Sequence, residues 1–199
     1  MIPRHLLVGV AILLAATLGM SVYVWQMRGR VHRTEVSALN TQPVAPPVSG
    51  ATERVTLYVT YDDAGVLRPQ QVHVQLPAGR QERAAELLRA LLTLYLDKFS
   101  PHPLGPGSDI RDVYLVDPGL AVIDLNAAFA DNHRSGVLVE ELSVVSLVQT
   151  LSANIPGITR VKILVEGNER ETLAGHADLS NFFDVPAVTQ VVAQLQNTQ

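Results

Sequence analysis

The segment Gly175-His176-Ala177-Asp178 places an imidazole and a carboxylate two residues apart. In an extended chain these two side chains point to the same side, so His176 and Asp178 could together bind a cation or orient a ligand. They do not complete a zinc site, which needs three or four ligands. The alternative is structural: Asp178 or Ser180 turns the chain as it leaves a sheet, and His176 hydrogen-bonds a neighbouring loop.

Asp124 is a further acidic residue with a candidate binding role. It lies within a predicted strand, where alternation turns it away from Ala121, Ile123 and Leu125. We therefore expect Asp124 to meet water or a partner. The candidate ligand-binding residues are Gly175, His176, Asp178 and Asp124.

The sequence carries no recognisable catalytic signature. It has no Gly-x-Ser-x-Gly motif, no glycine-rich phosphate loop after a strand, and no pair of histidines at metal-ligand spacing on one helix face. It also contains no cysteine, which excludes thiol chemistry, disulfides and a lipidated cysteine anchor. We expect no catalytic residue, no metal and no cofactor.

The charge is distributed unevenly along the chain. Residues 1–50 carry four arginines and Glu35, a net +3, whereas residues 51–199 carry 11 basic and 18 acidic residues, a net −7. The sum is the −4 of the whole chain. An acidic domain lacks the electrostatic footprint of a nucleic-acid binder, so no nucleic-acid partner is expected.

The N-terminal region contains an uncharged run from Leu6 to Trp25. As a helix it would span about 30 Å, the thickness of a bilayer's hydrocarbon core. A cleaved signal peptide is the alternative, but its apolar region is shorter and is followed by small residues at a cleavage site. Arginines flank both ends of the run, and long domains translocate largely regardless of charge, so charge alone leaves the orientation open.

These patterns divide the chain into five segments. The middle of the chain is rich in Pro, Ala, Ser and Thr without an apolar period, and the next 130 or so residues have the size of one domain. The predicted segments are a short cytoplasmic N-terminus (1–5), a transmembrane anchor (6–26), a Pro-rich tether (27–53), a globular domain (54–184) and a C-terminal tail (185–199).

Periodicity predicts an α+β domain, with a compact sheet and two helices packed on one face. The hairpin is expected to have a long loop around Pro69, and Glu140 and Glu141 fall near the first turn of the second helix, where the helix dipole favours them. The tail is either a short amphipathic helix or a frayed end. The predicted elements are strands 55–61 and 71–76, helix 80–97, strands 110–116 and 120–125, helix 137–153, and strands 160–166 and 170–174.

Several stretches of the domain together resemble the GerMN domain family, the sporulation and spore-germination domain of GerM-like proteins. They occur in family order and cover the whole predicted domain. The matching stretches are VTLYVTYDDAGVLRP (55–69), SPHPLGPGSDIRDVYLV (100–116), AVIDLNAAF (121–129), ELSVVSLVQTLSANIPGITRVKILVEG (141–167) and ETLAGHADLSNFF (171–183).

The resemblance implies an extracytoplasmic domain held by a membrane anchor or as a lipoprotein, with the N-terminus inside and the domain outside. It also implies a compact α+β fold similar to the ring-building motifs of secretion-type assemblies. The chain contains one copy of the domain, and its predicted anchor is a helix instead of a lipidated cysteine. The family motif corresponds here to Leu173, Gly175, His176, Asp178 and Leu179.

The expected function is therefore that of a non-enzymatic, single-pass membrane protein of the cell envelope. Its domain would bind a protein partner or a cell-wall ligand through the sheet edge or the loop 100–109. A domain that self-associates into a ring is one alternative. An envelope hydrolase that uses His176, Asp178 and Asp124 is another, and it requires these three side chains to converge in one pocket.

Overall fold

The computed structural model describes residues 50–116 and 118–197. The predicted N-terminus 1–5, the transmembrane helix 6–26 and residues 27–49 of the tether lie outside the described residues. Within the described part, none of the helices has both the length and the apolar character needed to cross a membrane.

The described residues form a mixed α+β fold. Strands β3 and β4 have the predicted bounds, and the first and third helices differ from prediction by one or two residues at one end. In chain order the elements are β1 (Ala51–Tyr61), β2 (Val66–Leu76), α1 (Arg80–Tyr95), β3 (Ile110–Val116), β4 (Leu120–Leu125), α2 (Ala127–Asp131), α3 (Val137–Asn154), β5 (Arg160–Val165), β6 (Phe183–Asp184) and α4 (Val185–Asn197).

The strands are arranged in two sheets, which corrects the prediction of a single sheet. Strands β1 and β2 form an antiparallel pair, and the other four lie in the order β3-β4-β5-β6. Strands β4 and β5 are parallel, while the outer pairings β3–β4 and β5–β6 are antiparallel. Sequence periodicity identifies strands but not their partners. It therefore could not show that the first hairpin forms a sheet of its own.

The hairpin loop is shorter than predicted. It comprises only Asp62 to Gly65, with Ala64 N–H bonded to the Tyr61 carbonyl at 3.2 Å and Gly65 N–H to the Asp62 carbonyl at 3.2 Å. Gly65 adopts φ +64°, which glycine tolerates without a side-chain clash. Pro69 lies within β2, opposite Tyr58. Because β2 pairs with a strand on one side only, a residue without an N–H is acceptable there.

The predicted strand 170–174 is wrong. The chain between Val165 and Phe183 forms turns and isolated bridges, including Thr172 with Asp178, and the strand that joins the sheet is the two-residue β6. The short helix α2 was not predicted, because five residues are too few to show a helical period. Asn126 caps it, its side chain accepting a hydrogen bond from Phe129 N–H at 2.9 Å.

Helix α1 packs against β3 and against α3, and α3 packs against β1. The buried apolar face of α1 follows the three-and-four spacing of an amphipathic helix. A single core cluster includes residues of both sheets and of these helices, so the two sheets share one hydrophobic core. The buried residues of α1 are Ala84, Ala85, Leu87, Leu88, Leu91, Leu92 and Tyr95.

A stripe of polar residues on α3 faces the edge of β1 that has no strand partner. Thr150 Oγ1 accepts from Tyr58 N–H at 2.9 Å, Ser146 Oγ donates to the Tyr58 carbonyl at 2.6 Å, and Asn154 bonds both backbone groups of Thr56. These residues recur every four positions, so one face of the helix replaces a neighbouring strand. The edge of β1 is therefore closed to an added strand at these positions.

Helix α4 runs along α3 and β2. Val188 and Val192 are buried, and Thr189 donates a hydrogen bond to Gln149 of α3 at 3.1 Å. The C-terminal segment 185–197 is thus helical, and its apolar face packs on the rest of the fold.

Candidate functional site

A buried carboxylate organises the loop that carries His176. Glu140, in the first turn of α3, is fully buried. One of its oxygens, Oε2, accepts hydrogen bonds from the backbone N–H groups of Ala174, His176 and Ala177 at 2.9, 2.9 and 3.0 Å. The other, Oε1, lies 2.9 Å from His176 Nδ1 and accepts from Gly136 N–H at 3.1 Å. A single side chain thus fixes a turn more than 30 residues away in sequence.

The electrostatics of Glu140 follow from these contacts. Burial alone would raise its pKa, because a charged carboxylate loses its hydration. The hydrogen bonds from the backbone and from His176 outweigh that effect and lower the pKa of Glu140 from 4.5 to about 2. The carboxylate is therefore ionised at neutral pH. The sequence pattern indicated only a favourable helix-dipole position, since the loop partners of Glu140 are distant in sequence.

The loop conformation explains the other positions of the family motif. Leu173 and Leu179 are buried in the core, and their N–H groups bond to the carbonyls of Ala177 and Glu171 at 3.0 and 2.8 Å. Gly175 adopts φ +120°, a conformation that side-chain-bearing residues rarely adopt. The motif therefore specifies a turn anchored at both ends, with glycine at the one backbone position that needs it.

His176 and Asp178 do not act as a pair. The chain here is a turn and not the extended segment that the same-side prediction assumed. The His176 side chain is 41% exposed and contacts Glu140, with Ser135 Oγ 3.3 Å away. Asp178 accepts hydrogen bonds from Ser180 N–H at 2.8 Å and Asn181 Nδ2 at 2.9 Å. These bonds, with that of the Ser180 hydroxyl the largest contributor, lower the pKa of Asp178.

Asp124 lies apart from both His176 and Asp178. It is buried, contrary to the expectation that it meets water or a partner. Its Oδ1 accepts from Gly167 N–H at 2.7 Å, and its Oδ2 lies 3.1 Å from an Arg111 guanidinium nitrogen. The turn after β5 covers the carboxylate, and the neighbouring strand β3 supplies the cation. Asp124 therefore ties that turn to the sheet.

The predicted site residues thus belong to separate hydrogen-bond networks, one around Glu140, one around Ser180 and one around Arg111. The convergence that the hydrolase alternative requires is not observed. Among residues 50–116 and 118–197, no group of histidine and acidic residues is arranged to hold a metal ion.

A buried polar cluster that the sequence did not reveal contains Asp62, His102, His133 and Ser143. His102 Nδ1 lies 2.6 Å from Asp62 Oδ1, and its Nε2 lies 2.6 Å from Ser143 Oγ. His133 Nε2 lies 2.7 Å from the same hydroxyl. The four residues come from the hairpin loop, the segment after α1, the segment after α2, and α3. No local pattern connects them.

The order of contacts in Asp62, His102 and Ser143 is that of a hydrolase triad. Ser143 and His102 are each only 1% exposed, however, so a substrate carbonyl has no access to the hydroxyl. Burial lowers the pKa of both His102 and His133, and the hydrogen bond that His102 donates to Asp62 opposes this effect at His102. The cluster is therefore a buried polar junction of four segments.

An accessible apolar groove lies between α3 and α4, and we call it the α3–α4 groove. It has a volume of about 520 Å³ and is lined by both helices and by residues of the segment 177–184. At its mouth Leu138 is 47%, Phe182 50% and Val191 42% exposed. Asp178 belongs to the lining, whereas His176 and Asp124 do not. Sequence periodicity gave the apolar residues of both helices but not the space between them.

Comparison with known proteins gives a family match over most of the domain. The family model described as Germane, sporulation and spore germination, matches residues 56–171. No curated protein matches the chain at a significant level.

Three solved structures are similar to the chain. The tandem GerMN domains of GerM from Bacillus subtilis have a TM-score of 0.51 and 18% identity, over 67% of this chain and 46% of that one. The first GerMN domain of the same protein has a TM-score of 0.49 and 20% identity, over 67% and 98%. A candidate lipoprotein from Clostridium perfringens has a TM-score of 0.44 and 20% identity, over 71% and 93%. At 18% identity, the similarity to the tandem GerMN domains shows a shared fold alone.

Proposed function

Because the chain belongs to the Germane family of sporulation and spore germination, we propose that it is a non-enzymatic protein of the cell envelope whose domain binds a protein partner. Residues 6–26 would anchor it in the cytoplasmic membrane as a single helix, with the domain on the extracytoplasmic side. The α3–α4 groove is the surface through which the partner would bind.

The groove is the observation that carries this proposal. Exposed apolar side chains scattered singly are common on soluble proteins, but apolar residues gathered around a concave surface are typical of binding sites. The groove combines such a lining with a volume in the range of ligand-binding clefts. Its walls are the two packed helices, so the surface is formed before a partner arrives.

The chemistry of the described residues favours binding over catalysis. The closest contact between an imidazole and a carboxylate joins His102 to Asp62, and the other ring nitrogen of His102 contacts Ser143. His102 and Ser143 are buried. His176 is exposed in part, but its carboxylate partner Glu140 already accepts hydrogen bonds from four backbone N–H groups. Neither arrangement offers a reactive group beside an open pocket, as an active site requires.

Site-specific photocrosslinking in intact cells tests the proposal. A photoreactive amino acid replaces Val191 in the full chain, and a matched chain carries it at Leu96, which is 43% exposed, apolar and outside the groove. We expect one envelope protein, identified by mass spectrometry, to be captured at position 191 and not at position 96. Equal capture at both positions, no capture, or capture of a second copy of this chain alone would overturn the proposal.

The proposed location predicts the behaviour of reporter fusions. Alkaline phosphatase fused after Gln199 should be active and found in the membrane fraction, because the enzyme folds only outside the cytoplasm and residues 6–26 would hold it there. An active cytoplasmic β-galactosidase at the same position, with an inactive phosphatase, would place the domain inside. A soluble, N-terminally processed fusion would show cleavage in place of an anchor.

A further inference from the structure

We infer that the α3–α4 groove receives an amphipathic helix of the partner, with apolar side chains along two turns and lysine or arginine residues flanking them. This inference rests on the proposed function and specifies the chemistry of the partner. It depends on the dimensions of the groove and on the sign of the charges around it.

The dimensions suit a helix. The lining of α3 extends from Leu138 to Val145 and that of α4 from Ala187 to Leu195. At 1.5 Å per residue these walls are each about 10–12 Å long, the length of two helical turns. A helix placed between two others contacts them through positions i, i+3 or i+4, and i+7. The apolar floor, formed by residues such as Leu142 and Val188, is the counterpart of that stripe.

The charges on the groove are all negative. Glu141, Asp178 and Asp184 are exposed, and no lysine or arginine contributes to the lining. Within the part of the chain that the structure describes, none of the three forms an ion pair, and the side chains of Glu141 and Asp184 make no hydrogen bond. The carboxylates of Glu141 and Asp184 are therefore available to a partner, and cationic side chains complement them.

Two cations lie near Asp178 and Asp184 without forming an ion pair with either: Arg160 is paired with Asp184 across β5 and β6, and the charge of Lys162 contributes to the lowered pKa of Asp178. Arg160 and Lys162 lie over the Phe182 ring, 5.3 and 5.7 Å from its centroid. Lys162 donates to the carbonyls of Leu179 and Ser180 at 3.1 and 2.6 Å, and it lies 3.3 Å from Glu169. Both cations contact the ring at one end of the segment 177–184 and are absent from the groove lining.

The same charges disfavour other occupants. A symmetric dimer formed through this groove would bring Glu141 and Asp184 of both copies into one interface. Helices α3 and α4 contain no lysine or arginine that could relieve the repulsion. An anionic lipid surface would be repelled for the same reason. A basic amphipathic helix is the occupant whose shape and charge both match.

Two synthetic peptides test the inference with the full chain in phosphatidylcholine nanodiscs. Both are 15-residue helical peptides with the same leucine stripe, one flanked by lysines and the other by glutamates, and empty nanodiscs serve as the blank. By fluorescence anisotropy at low salt, we expect the lysine peptide to bind about tenfold more tightly. The preference should shrink toward equality at 0.5 M NaCl, because salt screens exposed charges.

A pair of charge reversals gives the matched control. Glu141→Lys and Glu82→Lys change the net charge equally, and both residues are exposed near the start of a helix, but Glu82 lies on α1 outside the groove. We expect Glu141→Lys to weaken binding of the lysine peptide about fivefold and Glu82→Lys to leave it within about twofold.

Equal binding of the two peptides, binding of neither, or equal effects of the two reversals would overturn the inference. The proposed function is judged separately. If position 191 still captures a single envelope protein while both peptides fail, the groove binds a partner of different chemistry. If position 191 captures nothing, the proposed function itself fails.

Discussion

Replacing Glu140 by Gln is expected to lower the free energy of unfolding by about 3 kcal/mol at neutral pH. The reason is the difference between the two pKa values of the carboxyl group, about 2 in the fold and 4.5 in a model peptide. Each unit of that difference corresponds to 1.36 kcal/mol of preferential stabilisation of the ionised form. Gln also turns an N–H₂ group toward backbone N–H donors that have no alternative acceptor nearby.

Glu141→Gln is the matched control for this measurement. The two glutamates are adjacent on α3, but Glu141 is exposed and its side chain makes no hydrogen bond with any described residue, so its replacement should change the stability by less than about 0.5 kcal/mol. Urea unfolding of both variants gives the comparison. Equal stabilities for the two variants would contradict the role assigned to Glu140.

The same carboxylate predicts an acid dependence in the unaltered protein. The folded state holds the pKa of Glu140 at about 2, below its unfolded value. Its contribution to stability is therefore fully present above pH 4.5 and is lost as the pH falls toward 2, because only the unfolded state binds the proton over that range. A Glu140→Gln variant that still folds should lose this part of the pH dependence.

Replacing Leu138 by Glu is expected to abolish capture of the partner at the groove while the domain stays folded. Leu138 is 47% exposed at the mouth of the groove, so a carboxylate there remains hydrated in the free protein. Binding would bury that carboxylate against the apolar stripe of the partner and the apolar floor of the groove, and we expect the photocrosslinking yield at position 191 to fall at least tenfold.

Val116→Glu is the control for that variant. Val116 is 48% exposed, at the end of β3 and outside the groove, so the substitution adds the same charge to a surface of equal exposure. Both variants should unfold within about 0.5 kcal/mol of the unaltered protein. A similar loss of capture in both would show that the charge acts non-specifically.

The elements with strong internal patterns were predictable from sequence. Strands 110–116 and 120–125 have the predicted bounds, because a Pro-Gly turn signal separates two apolar runs. Helix α1 begins at the predicted residue and ends at Tyr95, two residues before the predicted end, and the proline-rich segment from Pro101 is not helical, as predicted. In these cases local sequence and tertiary structure agree.

The failures arise where distant residues decide the conformation. The predicted strand 170–174 leads into a turn in which Glu140, on another element, binds the N–H groups of Ala174 and His176, and a local pattern cannot show this. Asp124 is buried because Arg111 and Gly167 cover it. The Asp62–His102–Ser143 contacts join residues 40 and 41 positions apart. The role of the family motif as an anchored turn depends on its contacts with Glu140 and Glu171, which the sequence alone does not show.

The most direct test of the central claim compares the motif with the groove in one experiment. The full chain carries the photoreactive residue at position 191, with either His176→Gln or Leu138→Glu, and capture in intact cells is measured beside the thermal melt of each variant. We predict that His176→Gln retains capture, because an amide can replace one hydrogen bond to Glu140, and that Leu138→Glu loses it without loss of stability. Loss of capture in His176→Gln, with an unchanged melting temperature and retained capture in Leu138→Glu, would show that the partner is bound at the motif and not in the groove.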